Sequence, residues 1–307
     1  MRHLQTVADM RAASAEAARA GHRVGFVPTM GYLHAGHAAL VAEAKRRADL
    51  VALSIFVNPL QFAPSEDLAT YPRDLERDRS LSQAAGVDVL WTPANEDVYP
   101  AGPSITVSPG PVGGILEGAI RPGHFAGVLT VVLKLFNVVG PAVAVFGRKD
   151  AQQAFLVRAM VRDLDLPVEI VVAPTVRDAD GLALSSRNVY LTPGMRETAL
   201  ALPRALEAGA AAFRAGERRA GQVVAAAYRE FAPAERAGAL TVEYINVLDA
   251  GDFQPNHAAI PTSFLAAAIR VGAKRLIDNV VLGQGLDTDP RVAASAPAAQ
   301  AARGAGA

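Results

Sequence analysis

Two histidines one helical turn apart, His34 and His37 in the run His-Ala-Gly-His, are the residues of this sequence best suited to handling phosphate. If a helix starts near Ala35, both imidazoles lie at its N-terminus, where free N–H groups and the dipole attract anions. Gly36 would let a nucleotide approach the backbone. The rings would then donate hydrogen bonds to phosphate oxygens as charge builds during displacement at the α-phosphorus. The same spacing suits a metal pair, although no third ligand stands at metal spacing, and it suits helix caps with no ligand at all.

Other polar groups repeat the theme. Lys149 and Asp150 follow Gly147 and Arg148, giving an ammonium for phosphates and a carboxylate able to engage Mg²⁺, or else a surface ion pair. Gln61, Gln152 and Gln153 carry amides, which both donate and accept and so suit a substrate with hydroxyls or a carboxylate. Residues 177–188 show few signals of regular structure, and their Ser185-Ser186-Arg187 can bind anionic oxygen through hydroxyls, N–H groups and a guanidinium. Such a loop could close over a triphosphate and exclude water, or it could be an ordinary linker.

The elements that position these residues follow from periodicity. Short apolar runs at residues 23–27, 50–57, 87–91, 143–146 and 168–172 alternate with helical stretches at 6–20, 36–48, 73–85, 127–139 and 151–162. That alternation predicts βαβ units and a doubly wound, Rossmann-like parallel sheet in an α/β domain over 1–175. Ala-rich helices at 193–215 and 219–231 then precede strand-like runs at 240–247, 263–271 and 275–282, which predicts a smaller α+β lid domain over 176–288. Residues 289–307 are Ala, Gly and Pro with almost no large apolar side chain, the composition of a disordered tail. Four polar clusters, after the first, second, fourth and fifth predicted strands, share the carboxyl rim where ligands bind in open parallel sheets.

Composition bounds the function. The 307 residues suggest about two domains. Thirty Lys and Arg balance thirty Asp and Glu, so no net charge drives attachment to nucleic acid. With no cysteine there is no disulfide framework and no thiolate metal site. The N-terminus lacks the apolar run of a secretory signal, and the longest apolar stretch, 127–139, carries Lys134 and Asn137, so the chain reads as a soluble, cytoplasmic protein without a membrane span. Residues alone support an ATP-type phosphate site opposite a small polar acid.

Six stretches together resemble one family. They are Pro28-Thr29-Met30-Gly31 through His37, residues 56–62, 71–74, 121–128, 146–153 and 180–188, and they are similar to the pantothenate synthetase (pantoate-β-alanine ligase) family of the His-x-Gly-His nucleotidylyltransferase superfamily. The resemblance implies that ATP and pantoate give pantoyl adenylate and pyrophosphate, after which β-alanine attacks the anhydride to give pantothenate and AMP. It implies an ATP site lined by Met30, Gly31, Tyr32, Leu33, His34, Ala35, Gly36 and His37, with His34, His37 and Lys149 catalytic and His37 the proton donor. Gly147, Arg148, Lys149 and Asp150 would contact ATP, completed by Val176, Leu184, Ser185, Ser186 and Arg187. Gln61 and Gln153 would hold pantoate, with Asn58 and Tyr71 beside them and Asp78 on the Mg²⁺ side. Glu117, Arg121 and His124 would lie at the edge of the site or at the contact of a homodimer.

The sequence departs from the family pattern at four places. Arg77 precedes Asp78 where relatives often have a second acid, Ala35 and Arg148 replace residues that are often Glu, and Leu184 replaces Met. None removes a group assigned to chemistry. A nucleotidylyltransferase that stops at the nucleotide-linked product would share His-x-Gly-His but would not need the paired glutamines. A catalytically silent nucleotide sensor would be expected to have lost one of His34, His37, Lys149, Ser185 and Arg187, and all are present.

Overall fold

The computed structural model describes residues 1–63, 66, 68–100 and 105–292. It divides into two compact units, Met1–Pro174 with the short run Gly251–Gln254, and Thr175–Ala250 with the described residues from Pro255 onward.

The first unit runs β1 (Arg2–Leu4), α1 (Val7–Arg19), β2 (Val24–Thr29), α2 (Ala35–Lys45), β3 (Leu50–Ile55), α3 (Leu75–Ala85), β4 (Val89–Trp91), α4 (Asn95–Val98), α5 (Glu117–Ile120), α6 (His124–Val139), β5 (Val143–Gly147), α7 (Ala151–Asp163) and β6 (Glu169–Ala173). Its six strands form a parallel, Rossmann-like sheet in the order β1-β4-β3-β2-β5-β6. Alternate residues build the two faces, as the pleat requires. Phe26, Ala52, Trp91 and Phe146 pack with Met10 of α1 and Phe125, Val128 and Leu129 of α6, whereas Val27, Val51, Leu53, Leu90 and Val145 pack with Val41 and Ala44 of α2. α6 is apolar on nearly every side because it is buried, and no helix among the described residues is long and apolar enough to cross a membrane. β1 is a three-residue edge strand that the apolar runs did not predict.

Strand order reverses beside β2. The chain moves outward from β2 through β3 to β4, then returns to place β5 against the opposite edge of β2, with Gly25 and Phe26 opposite Val143 and Ala144. A crevice opens outside the carboxyl ends of two such strands. The segments that leave those ends are the ones carrying His34, His37, Lys149 and Asp150.

The second unit holds α8 (Pro193–Ala199), α9 (Ala201–Arg214), α10 (Ala220–Arg236) and an antiparallel sheet β7 (Thr241–Leu248), β8 (Phe264–Val271) and β9 (Lys274–Val281) in the order β7-β8-β9. Leu202, Leu206, Phe213, Val223 and Phe231 form its core with Leu265, Ala267 and Ile269. Asp289, expected at the start of a disordered tail, is instead 4% exposed and bonded to Arg177, and Pro290 and Val292 bond to the Arg177 backbone. Residues 289–292, Asp-Pro-Arg-Val, are held by that ion pair together with the two backbone bonds. Residues 293–307 lie outside the described residues.

Candidate active site

The histidines cap their own helix. His34 is the N-cap of α2: Gly36 N–H donates to its Nδ1 at 3.1 Å, and His34 N–H donates to Nδ1 of His37 at 3.2 Å. A neutral imidazole that accepts on Nδ1 carries its proton on Nε2. Both rings therefore present an Nε2–H donor at a helix N-terminus, with ring centroids 4.1 Å apart. Burial, then the neighbouring His37, Lys149 and Arg77, lowers the pKa of His34 to about 2. Burial lowers that of His37 to about 4 against the pull of Asp150.

These values carry a test. Nuclear magnetic resonance signals of the His34 and His37 rings are expected to stay at neutral positions from pH 8 to about 5, and a midpoint near 6.5 would contradict the geometry. Because the folded values lie below the ordinary 6.5, the unfolded chain takes up protons that the folded site refuses. Their contribution to stability is thus full above pH 6.5 and is lost as pH falls, toward about 4 for His37 and about 2 for His34.

The loop before the histidines is held by Asp78. Tyr32 N–H donates to its Oδ2 at 2.6 Å and Leu33 N–H to its Oδ1 at 2.7 Å. Gly31 and Tyr32 both have positive φ, +84° and +50°, and a Cβ on Gly31 would lie 2.9 Å from Ile55 and 3.0 Å from Asp78. Arg77 stacks over the Tyr32 ring at 4.9 Å. Burial raises the Asp78 pKa, and the two amides and Arg77 restrain the rise. Asp78, expected on the metal side, thus has both oxygens committed to backbone donors. Among the described residues no three His, Asp or Glu side chains gather as a metal cage.

A second network fixes Gln61. Asn58 donates from Nδ2 to Gln61 Oε1 at 3.0 Å and to Gly127 O at 3.1 Å, while Tyr99 Oη–H donates to Asn58 Oδ1 at 2.9 Å. With Oε1 bonded, the Gln61 amide offers its NH₂, which among the described residues meets only the weak acceptor Met30 Sδ at 3.1 Å. The Gln61 carbonyl accepts from Arg121 at 3.2 Å and from His124 Nδ1 at 2.9 Å, and Arg121 is clamped by Glu66 at 2.6 and 2.8 Å. Arg121 also donates to His124 Nε2, and burial with that cation lowers the His124 pKa to about 4. Only glycine serves at 127, where a Cβ would lie 2.3 Å from the Leu60 carbonyl oxygen.

At the end of β5, Lys149 and Asp150 stand 3.7 Å apart and act electrostatically on the histidines. The paired glutamines have separate roles. Gln152 holds the chain before α5, donating to Val112 O and Ile115 O at 2.8 and 2.9 Å and accepting from Glu117 N–H at 3.2 Å. Gln153 makes no such bond among the described residues. Tyr71 is buried, its ring edge-on to Phe62 at 5.9 Å.

The sequence pattern of the pantoate-β-alanine ligase family matches residues 2–281. The chain belongs to that family. It is 51% identical over 284 residues to the pantothenate synthetase of Moorella thermoacetica, covering 92% of this chain and 99% of that one. The pantothenate synthetase of Geobacter sulfurreducens is 48% identical over the same share of each. Among solved structures, a pantothenate synthetase from Thermus thermophilus superposes with a TM-score of 0.86 at 47% identity over 92% of this chain and 99% of that chain. A pantoate-β-alanine ligase from Francisella tularensis, complexed with a β,γ form of ATP and β-alanine, gives 0.77 at 33% identity over 93% and 99%.

The remaining residues expected in this ligase's nucleotide site belong to the second unit. Val176 is buried, and its carbonyl accepts from Leu184 N–H at 2.9 Å. Ser185 caps a 3₁₀ turn, Ser186–Tyr190, by accepting from Arg187 N–H at 3.3 Å. Sequence reasoning missed Tyr99 and Glu66, whose links to Asn58 and Arg121 span 41 and 55 residues and leave no local signal.

Proposed function

We propose that the protein joins pantoate to β-alanine in two steps at the carboxyl rim of the first unit's sheet. The observation that carries this reading is the pair of neutral Nε2–H donors at the start of α2, electrostatically coupled to Lys149 across the strand-order reversal. In the first step a pantoate carboxylate oxygen bonds to the α-phosphorus of ATP and pyrophosphate leaves. His34, His37 and the Lys149 ammonium stabilise the charge on the phosphate oxygens, and none of these groups must reorganise to do so. The Gln61 and Gln153 amides orient the acid, with Asn58 holding Gln61 in place. In the second step the amine of β-alanine attacks the acyl carbon and AMP leaves.

Mg²⁺ would be held largely by the phosphates of ATP, and Asp150 is the carboxylate that fits beside them, because the Asp78 oxygens are already bonded. Bound there, the cation would neutralise triphosphate charge. The 184–187 segment would complete the ATP site. The family resemblance further supports a homodimer and a cytoplasmic location.

AMP release with each substrate omitted in turn tests the scheme. AMP is expected only when pantoate and β-alanine are both present, and pyrophosphate exchange into ATP with pantoate alone. Exchange with another acid but not with pantoate would overturn the substrate assignment and leave the nucleotide site standing. Gln153→Ala is expected to weaken pantoate binding by about tenfold, the worth of one or two hydrogen bonds, with ATP affinity little changed. Unchanged pantoate affinity by calorimetry would remove Gln153 from the site.

A further inference from the structure

The hairpin that leads into Ser185 is built around one buried cation. Arg177 is fully buried; its Nε donates to Asp289 Oδ2 at 2.8 Å, and its Nη1 and Nη2 donate to the two oxygens of Asp278 at 2.6 and 3.1 Å. Nη1 also reaches the carbonyl of Gly181, at the hairpin's turn, at 3.1 Å. The Arg177 N–H donates to Pro290 O at 3.0 Å and its carbonyl accepts from Val292 N–H at 2.9 Å. The residue is therefore the middle rung between Ala183 and Arg291. Arg196 ties the turn from outside, at 2.6 Å to Asp178 and 2.8 Å to Asp180.

Such a cluster is a poor device for stability alone. Buried ion pairs lose in desolvation much of what they gain by attraction, and apolar replacements often do as well. The second unit already has a closed apolar core. What a bidentate guanidinium contact adds is a fixed distance and angle. Here it fixes the strand from which residues 184–187 emerge, with Leu184 bonded back to Val176 and Asn188 to the carbonyl of Ala183 at 3.0 Å.

We propose that Arg177, held by Asp278 and Asp289, is a positioning residue for the segment 184–187, and that residues 289–292 are a working strap for nucleotide binding. The proposal rests on the reading that 184–187 contacts ATP. A chain ending at Val292 should keep the KM for ATP of the full chain, whereas Asp289→Ala raises it about tenfold in pantoate-dependent pyrophosphate exchange. The KM for pantoate stays within about twofold, a split that general loss of structure would not produce. Asp289→Asn keeps an acceptor for Arg177 Nε, preserves the fold if the alanine variant does not, and raises the KM for ATP about threefold.

An ATP KM within about twofold of the full chain's in both Asp289 variants, or parallel rises for ATP and pantoate, overturns the proposal. Arg187→Ala separates the two layers of inference. If that variant leaves the ATP KM untouched, the assignment of 184–187 to ATP falls and takes the proposal with it. If it raises the ATP KM while the Asp289 variants do not, the positioning role alone falls.

Discussion

His37→Ala is expected to slow pantoate-dependent pyrophosphate exchange by about 10²- to 10³-fold, the usual loss when one preorganised donor to a developing oxyanion is removed. The side chain contributes two separable things. Its Nδ1 accepts from His34 N–H, a cap worth about 1 kcal/mol, so the thermal midpoint should fall by only a few degrees. Its Nε2–H is a donor held neutral by burial, with a pKa of about 4, and no rotation or protonation is needed before it meets phosphate. Alanine removes that donor and leaves no group to take its place. Pantoate binding, which the proposed scheme assigns to Gln61 and Gln153, should be nearly unchanged, so the loss belongs in turnover. Near-normal exchange in a folded His37→Ala protein would remove the ring from the chemistry and leave it a helix cap.

The groups proposed to meet substrate were legible in the sequence; the groups that hold them were not. His34, His37, Lys149 and Gln61 combine reactive types with places just after apolar β runs, and the parallel sheet requires such places to converge. The short apolar runs at Leu50–Ile55 and Val143–Gly147 also revealed the sheet, since fully buried parallel strands read as near-unbroken apolar runs. Arg2–Leu4 escaped because three residues at an edge carry no periodicity. The bonds of Asp78 were hidden for a different reason: the resemblance set it on the Mg²⁺ side, and its donors lie 45 and 46 residues away in a loop whose positive φ values no local pattern announces. Asp289 likewise sits in a composition typical of disorder, yet its partner Arg177 is 112 residues distant.

Asp78→Asn separates the two accounts of that residue most sharply. An amide in place of the carboxylate must turn an NH₂ toward either Tyr32 N–H or Leu33 N–H, opposing two donors at what is now 2.6 or 2.7 Å. Each hydrogen bond to a charged group is worth about 1.5–3 kcal/mol, so the ligand-free protein should lose about 3 kcal/mol of stability. The left-handed backbone at Tyr32 costs about 1–3 kcal/mol, and the Asp78 carboxylate helps to hold it. Released, Gly31 and Tyr32 relax and carry the start of α2 with them. A displacement of about 1 Å at the histidines lowers turnover by about 10²-fold. If Asp78 instead held Mg²⁺, the variant would fold as stably as the parent without ATP, and raised Mg²⁺ would restore its rate. Urea denaturation of the ligand-free protein and a Mg²⁺ titration of exchange distinguish the cases. Positioning predicts a lowered urea midpoint and no rescue, because added cation cannot return an acceptor to the amides of Tyr32 and Leu33.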